Sequence, residues 1–232
     1  MTKTLDLNWQ TQGVTPTLIQ GADAERLYKS LPEQARNGMR YDKDSKLLIG
    51  SNSFSAAILD TQALEYGARV PSLVDLSRPE VMRIVKDKHY TDSRNLVVRS
   101  QTDPNYSRND SLLKQIYELA EQKEGRITMP FMIEGYTFVE NPEDDKGYGL
   151  KIVARSDFKV IQDERFDGKH GGKSFSEVDE QGIPNFDKKG NRNWYAKNKG
   201  LSGLYLDSYL YLDSYGDILA YSNDGGRVVF LK

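Results

Sequence analysis

Leu204 to Tyr215 reads LYLDSY twice in succession. The repeat gathers Tyr205, Tyr209, Tyr211 and Tyr215 with Asp207 and Asp213. Phenol rings stack on sugars or bases, and carboxylates accept hydrogen bonds, act as acid and base, or hold a cation. Six is an even period, so an extended chain keeps both copies in phase. Leu204, Leu206, Ser208, Leu210, Leu212 and Ser214 then share one face, and the tyrosines and aspartates share the other. That pattern predicts an antiparallel strand covered on one side. We take Tyr205, Asp207, Tyr209, Tyr211 and Asp213 as a candidate ligand face. An ordinary cross-strand pairing face has the same composition. A straight strand would hold Asp207 and Asp213 about 20 Å apart. Carboxylates that split a glycosidic bond stand roughly 5–10 Å apart, so a catalytic pair would need a partner from elsewhere in the chain.

A second candidate is Lys188 to Lys199, KKGNRNWYAKNK. Lys188, Lys189, Arg192, Lys197 and Lys199 surround Trp194 and Tyr195 with no acidic residue between them. Cations for phosphates beside rings for bases make up a contact to single-stranded nucleic acid. A solvated loop anchored by one buried tryptophan reads the same way.

Other motifs fall short. Gly172-Lys173-Ser174 ends like a phosphate-binding loop, but Asp167 replaces its first glycine and no good helix follows. Gly50-Ser51-Asn52-Ser53 opens a helix and could hold an anion with backbone N–H groups, though capping needs the same residues. Arg94, Arg99 and Arg108 could bind phosphate or pair with nearby acids. His89 and His170 are the only histidines, so a metal site would rest on carboxylates such as Asp92, Asp207, Asp213, Asp217 and Asp224, and no spacing singles them out. Neither HExxH nor GxSxG is present. No metal site and no cofactor is expected. With no cysteine, disulfides, thiolate zinc sites and cysteine nucleophiles are excluded.

The chain that must position these residues has 232 amino acids, of which 38% are hydrophobic and 28% charged, an ordinary globular balance. A net charge of −2 means that the molecule as a whole is not an electrostatic nucleic-acid binder. No apolar run approaches the roughly 18 residues of a membrane span, and MTKTLDLNWQ has no apolar leader core, so a cytoplasmic setting and no membrane partner are expected.

Hydrophobic spacing predicts helices over Ala22–Leu31, Ser51–Gly67 (capped by Ser51 or Ser53) and Ser111–Glu124 (capped by Asp110). A further helix opens on Ser77-Arg78-Pro79-Glu80 as a capping box. Strands are predicted over Thr4–Trp9, Gly13–Gln20, Lys46–Gly50 and Asn95–Ser100. Four more are ITMPFMI, GYTFVE, LKIVAR and FKVIQD, with turns at Gly135 and Asn141–Gly147. Pro130 argues that the first of these lies at an edge or carries a bulge. Residues 164–200 show no period and are expected to form a long basic, glycine-rich loop. In residues 201–232 the doubled repeat would span roughly 40 Å as one strand, so a bend near Ser208 is expected. Strands at Ile218–Tyr221 and Arg227–Lys232 flank a turn at Ser222–Gly226, and all of these C-terminal strands should complete one sheet.

The sum is an α+β fold, with about three to four helices in the N-terminal half, a mixed or mainly antiparallel sheet and a strand-rich C-terminal half. A single domain is expected. Without a sharp catalytic motif, the reading is a non-enzymatic protein that binds a macromolecule, nucleic acid or protein, through the basic loop or the tyrosine face. Two alternatives are a metal-dependent phosphodiester hydrolase using C-terminal aspartates and a saccharide binder stacking on Tyr205, Tyr209 and Tyr211.

Overall fold

A computed structural model describes residues 15–216 and 218–232. The strand expected at Thr4–Trp9 lies outside these residues. The described chain runs β1 (Pro16–Leu18), α1 (Gly21–Ser30), β2 (Arg40–Tyr41), β3 (Leu48–Ile49), α2 (Ser53–Leu64), α3 (Pro79–Val85), β4 (Thr91–Val98) and α4 (Asp110–Glu124). There follow β5 (Phe131–Glu140), β6 (Leu150–Gln162), β7 (Ser174–Val178), β8 (Pro184–Phe186), β9 (Arg192–Ala196), β10 (Leu201–Leu206), β11 (Leu212–Ser214) and β12 (Val229–Leu231). The fold is α+β, with the helices in the N-terminal half and mostly antiparallel strands beyond.

The main sheet has the order β6-β5-β4-β10-β11-β9-β7-β8. Among the described strands of this sheet, only β11 and β9 pair in parallel. Both faces of its middle are covered. Leu96, Val98, Phe131 and Ile133 meet α2 and α4 residues such as Phe54, Leu112 and Ile116 in one core. Val97, Met132, Leu204, Leu206 and Leu212 meet Trp194, Phe175 and Val85 in a second core on the opposite face. At roughly 1.5–3 kcal/mol for each large apolar side chain fully buried, these two cores hold the sheet in place.

The local reasons are mostly those the sequence predicts. Gly67 takes φ +67° just past α2, a left-handed position that a β-carbon would strain. The caps differ. Asn52 rather than a serine caps α2: its side chain accepts from the Ser55 N–H while the Ser55 hydroxyl accepts from the Asn52 N–H. Arg78 stands at the cap position of α3 with Pro79 next, and Ser77 belongs to the preceding turn. Asn109 precedes α4, and Asp110 is its first residue.

Four predicted strands are two. Phe131–Glu140 and Leu150–Gln162 each run through, paired over their length. Gly135 runs on within β5 rather than forming a turn; it stands opposite a bulge of β6 at residues 155–158, and a β-carbon there would strike the Asp157 carbonyl. β5 lies between β4 and β6, so it is no edge strand; Pro130 sits just outside the ladder. The connection at residues 141–147 is as expected.

Residues 164–200 are not one loop. They hold β7, β8 and β9, each three to five residues long, and extend the main sheet beyond β11. Strands this short carry too few alternations to show a period. At the C-terminus, Ile218–Tyr221 forms a turn instead of a strand, and β12 pairs with β1 in a separate two-stranded sheet instead of joining the main one.

Candidate functional site

The repeat folds back on itself. Tyr205 lies opposite Asp213 and Leu206 opposite Leu212, which makes β10 and β11 a hairpin rather than one long bent strand. Asp207 turns the chain: its N–H donates to the Tyr211 carbonyl at 3.1 Å, and its carbonyl accepts from the Leu210 N–H at 3.0 Å. Its Oδ1 accepts from the N–H groups of Tyr209 and Tyr211 at 2.9 and 2.8 Å. Leu210 takes φ +66° to close the three-residue loop. The fold point pairs odd positions with odd positions, so the two faces survive it. Leu204, Leu206 and Leu212 are fully buried, and Tyr205 and Asp213 stand on the other side.

Tyr205 is also opposite Asp92 of β4. Asp92, Tyr205 and Asp213 thus form one row across three adjacent strands, and directly opposed residues of antiparallel strands share a face. Two strand spacings set the backbones of the aspartates about 10 Å apart. The register shifts between Gly203 and Tyr205, where Ser93–Asn95 of β4 bulge outward. The Ser93 hydroxyl donates to the Leu204 carbonyl at 2.8 Å, and Asn95 accepts from the Leu73 N–H at 2.7 Å. The bulge ends regular pairing beside the row, and a cavity lies next to Asp92 and Gly203.

That cavity has a volume of about 490 Å³. Asp92 is its buried carboxyl, 6% exposed, and Asp92 Oδ2 has no hydrogen-bond partner. Ser53, in the first turn of α2, and Gly203 close the inner end. Tyr90, Tyr205 and Tyr221 supply rings to the walls, and Tyr90 meets Tyr205 edge to face at 5.8 Å. The Tyr90 hydroxyl donates to the Ser51 carbonyl at 3.0 Å and accepts from the Asn223 N–H at 3.1 Å, fixing its ring. Asp207, Lys88 and His89 also line the cavity.

Burial sets the electrostatics. It raises the Asp92 pKa to about 7 against the opposing bond from Ser51, and the nearby Asp213 carboxylate adds to the rise. Burial also raises Asp213, opposed by the Tyr215 N–H and the Tyr205 hydroxyl. Asp207 is raised by burial against its two backbone bonds. Tyr90 is pushed up to about 12 by burial. His89 is lowered by burial and by the charges of Arg227 and Lys88, so it favours the neutral form. Asp92 is therefore poised between carboxyl and carboxylate at neutral pH, able to donate or accept a proton or to meet a cation.

Of the expected ligand face, Tyr205 and Asp207 line this cavity and Asp213 stands behind it in the row. Tyr209 and Tyr211 lie outside, on the turn, with rings stacked at 6.0 Å; Tyr195 continues the strip, 5.6 Å from Tyr211. Asp213 and Tyr195 are neighbours in register on β11 and β9. Among the described residues no three Asp, Glu or His side chains gather as a metal site.

The basic stretch is turned inside out. Trp194 is fully buried in the second core, where its ring cannot stack on a base. Lys197 is buried against Asp103, with Nζ and Oδ2 at 2.6 Å. Arg192 is buried, with Nε donating to the Leu210 carbonyl at 2.7 Å and its guanidinium over the Phe175 ring. Lys188, Lys189, Tyr195 and Lys199 remain exposed. The physical reason is strand alternation in β9, which sends Arg192, Trp194 and Ala196 inward.

Asp92 is the residue that the sequence reading named among many acids and could not single out. Its signal was the polar run Thr91-Asp92-Ser93-Arg94-Asn95 directly before an apolar strand. All five belong to β4, and only Arg94 escapes full burial. Among the described residues no helix is long and apolar enough to cross a membrane. No family model, curated protein or solved structure matches this chain.

Proposed function

We propose that this chain is a small-molecule-binding module whose ligand fills the cavity over Asp92. One observation carries the reading: Asp92, whose buried Oδ2 has no hydrogen-bond partner, lines a cavity of about 490 Å³. Buried polar atoms without partners are uncommon and costly, and a ligand that satisfies one recovers that cost on binding. The volume lies within the roughly 300–1,000 Å³ typical of ligand sites. Ring walls with a few convergent polar groups complete the character of such a site.

The test is a fragment screen by ligand-observed NMR against the parent, Asp92→Asn and Ser208→Trp. Asp92→Asn changes the anchor without changing its shape, and Ser208→Trp fills the cavity from its rim. Hits that both substitutions abolish support the site. Hits that neither substitution touches place binding elsewhere and overturn it.

A second reading rests on a separate observation, the exposed ring strip of Tyr195, Tyr211 and Tyr209, with Tyr209 75% exposed. Stacked, solvent-facing phenols suit the flat faces of a saccharide chain. Binding of a soluble polysaccharide that is insensitive to salt and lost on Tyr209→Ala would support it. Retention of binding in that variant would remove the strip from the account.

A further inference from the structure

We propose that the ligand of the Asp92 cavity is a compact organic ammonium cation. This rests on the reading of that cavity as the binding site and names the class of molecule it takes.

Three features converge. The first is the ring set. Tyr90, Tyr205 and Tyr221 come from three separate segments and meet around one space. An aromatic face attracts a cation through its quadrupole, most strongly where water is displaced. Tyr90 is held by two hydrogen bonds and by its edge-to-face contact with Tyr205, so these two rings are set before any ligand arrives.

The second feature is Asp92 itself. The residue lines the cavity and is more than nine-tenths buried, and its Oδ2 is unpartnered. Among the described residues Asp92 forms no ion pair. An ammonium group beside the Asp92 carboxyl supplies a counter-charge and, where it carries N–H, a donor. A neutral polyol could supply only the donor.

The third feature is the sign of the surrounding charge. Asp207 on the rim and Asp213 behind Tyr205 add to the negative potential. Lys88 is the opposing cation at the rim and is exposed, where solvent and salt screen it. His89 is driven toward its neutral form. An anion entering this space would meet carboxylates, and a cation meets rings and a carboxylate.

Recognition carries a proton signature. Burial raises the Asp92 pKa to about 7, so Asp92 is the group placed to change between about pH 6 and 8; burial lowers His89 and raises Asp207 and Asp213 beside it. Only the carboxylate form of Asp92 pairs with the cation. Binding should tighten about tenfold across that range and release up to one proton per ligand near the lower end.

The experiment is isothermal titration of the full chain with tetramethylammonium, n-butylammonium and the neutral isostere 3,3-dimethyl-1-butanol, at about pH 6 and pH 8 in two buffers of different ionisation enthalpy. At the higher pH the cations should bind about tenfold or more tightly than the alcohol. Asp92→Asn should cost about tenfold and abolish the pH dependence, and Tyr221→Ala, at an exposed wall residue, should weaken the cations while leaving the fold intact. Equal binding of cation and alcohol, or no pH dependence, overturns the inference. Cations that fail while fragment hits are still lost on Asp92→Asn overturn the ammonium assignment and leave the site standing. If no cation binds and no fragment depends on Asp92, both readings fall.

Discussion

The Nζ of Lys197 lies 2.6 Å from Oδ2 of Asp103, with 4% and 0% of the two side chains exposed. A lysine from the most basic stretch of the sequence is thus an internal counter-ion. Asp103 also accepts from Asn109 Nδ2 at 2.8 Å and from the Leu201 N–H at 3.2 Å. Burial alone would raise its pKa, but the bonds from Lys197 and Asn109 hold it below the usual carboxylate range. Lys197→Met leaves that charge without its partner. We expect a loss of roughly 3–5 kcal/mol in urea unfolding, while Lys189→Met stays near the parent.

Asp92 gives a stability effect of the opposite sign. Its folded pKa of about 7 lies above the ordinary value of 3.8. Between these pH values the folded chain holds a proton that the unfolded chain has lost, so stability falls as pH rises from about 4 to 7 and levels off above. About three pKa units correspond to roughly 4 kcal/mol. Asp92→Asn should match the parent near pH 4 and exceed it by a few kcal/mol near pH 8, read from urea midpoints. Equal midpoints across that range would show that Asp92 ionises freely.

Asp207 should matter to the hairpin as an acceptor and not as a charge. Its Oδ1 takes two backbone N–H groups of the turn. Asp207→Asn keeps that oxygen and should melt close to the parent, whereas Asp207→Ala should lose about 1–2 kcal/mol. A melt of Asp207→Asn as low as that of Asp207→Ala would contradict this account.

Gly203 and Ser53 are coupled across the inner end of the cavity. A β-carbon at Gly203 would collide with Ser53 Oγ. Gly203→Ala should cost about 1–3 kcal/mol, and adding Ser53→Ala should recover part of it. A double-mutant cycle should return an interaction of at least about 0.5 kcal/mol; additive effects would refute the contact.

Trp194 offers an optical check on the basic stretch. Trp9 and Trp194 are the only tryptophans, so Trp9→Phe isolates the buried one. Its emission should be blue-shifted and resist iodide, and single-stranded DNA should not quench it. Direct quenching by DNA would show that the ring reaches a base after all.

Much of this fold was legible in the chain. The even period of the repeat fixes which side of β10 and β11 is leucine and which is tyrosine and aspartate, whether the strand runs straight or doubles back, because the hairpin pairs odd residues with odd. Helical spacing located α1 and α4, since each has one apolar face to bury; α2 is buried around most of its circumference, and Leu64, expected on its buried face, is exposed. The glycine after α2 was readable because its conformation excludes a β-carbon.

What the tertiary structure decided was what those faces meet. Residues 164–200 looked solvated because three short strands leave no measurable period, and only pairing at the edge of the sheet buries Trp194 and Lys197. The polar run before the apolar half of β4 is buried through a bulge whose partners, Leu204 and Leu73, lie elsewhere in the chain. Asp92 stands opposite Tyr205 through strand register, and register joins residues more than a hundred positions apart. No local spacing encodes that distance, so the carboxyl at the centre of the cavity became visible only when the sheet was assembled.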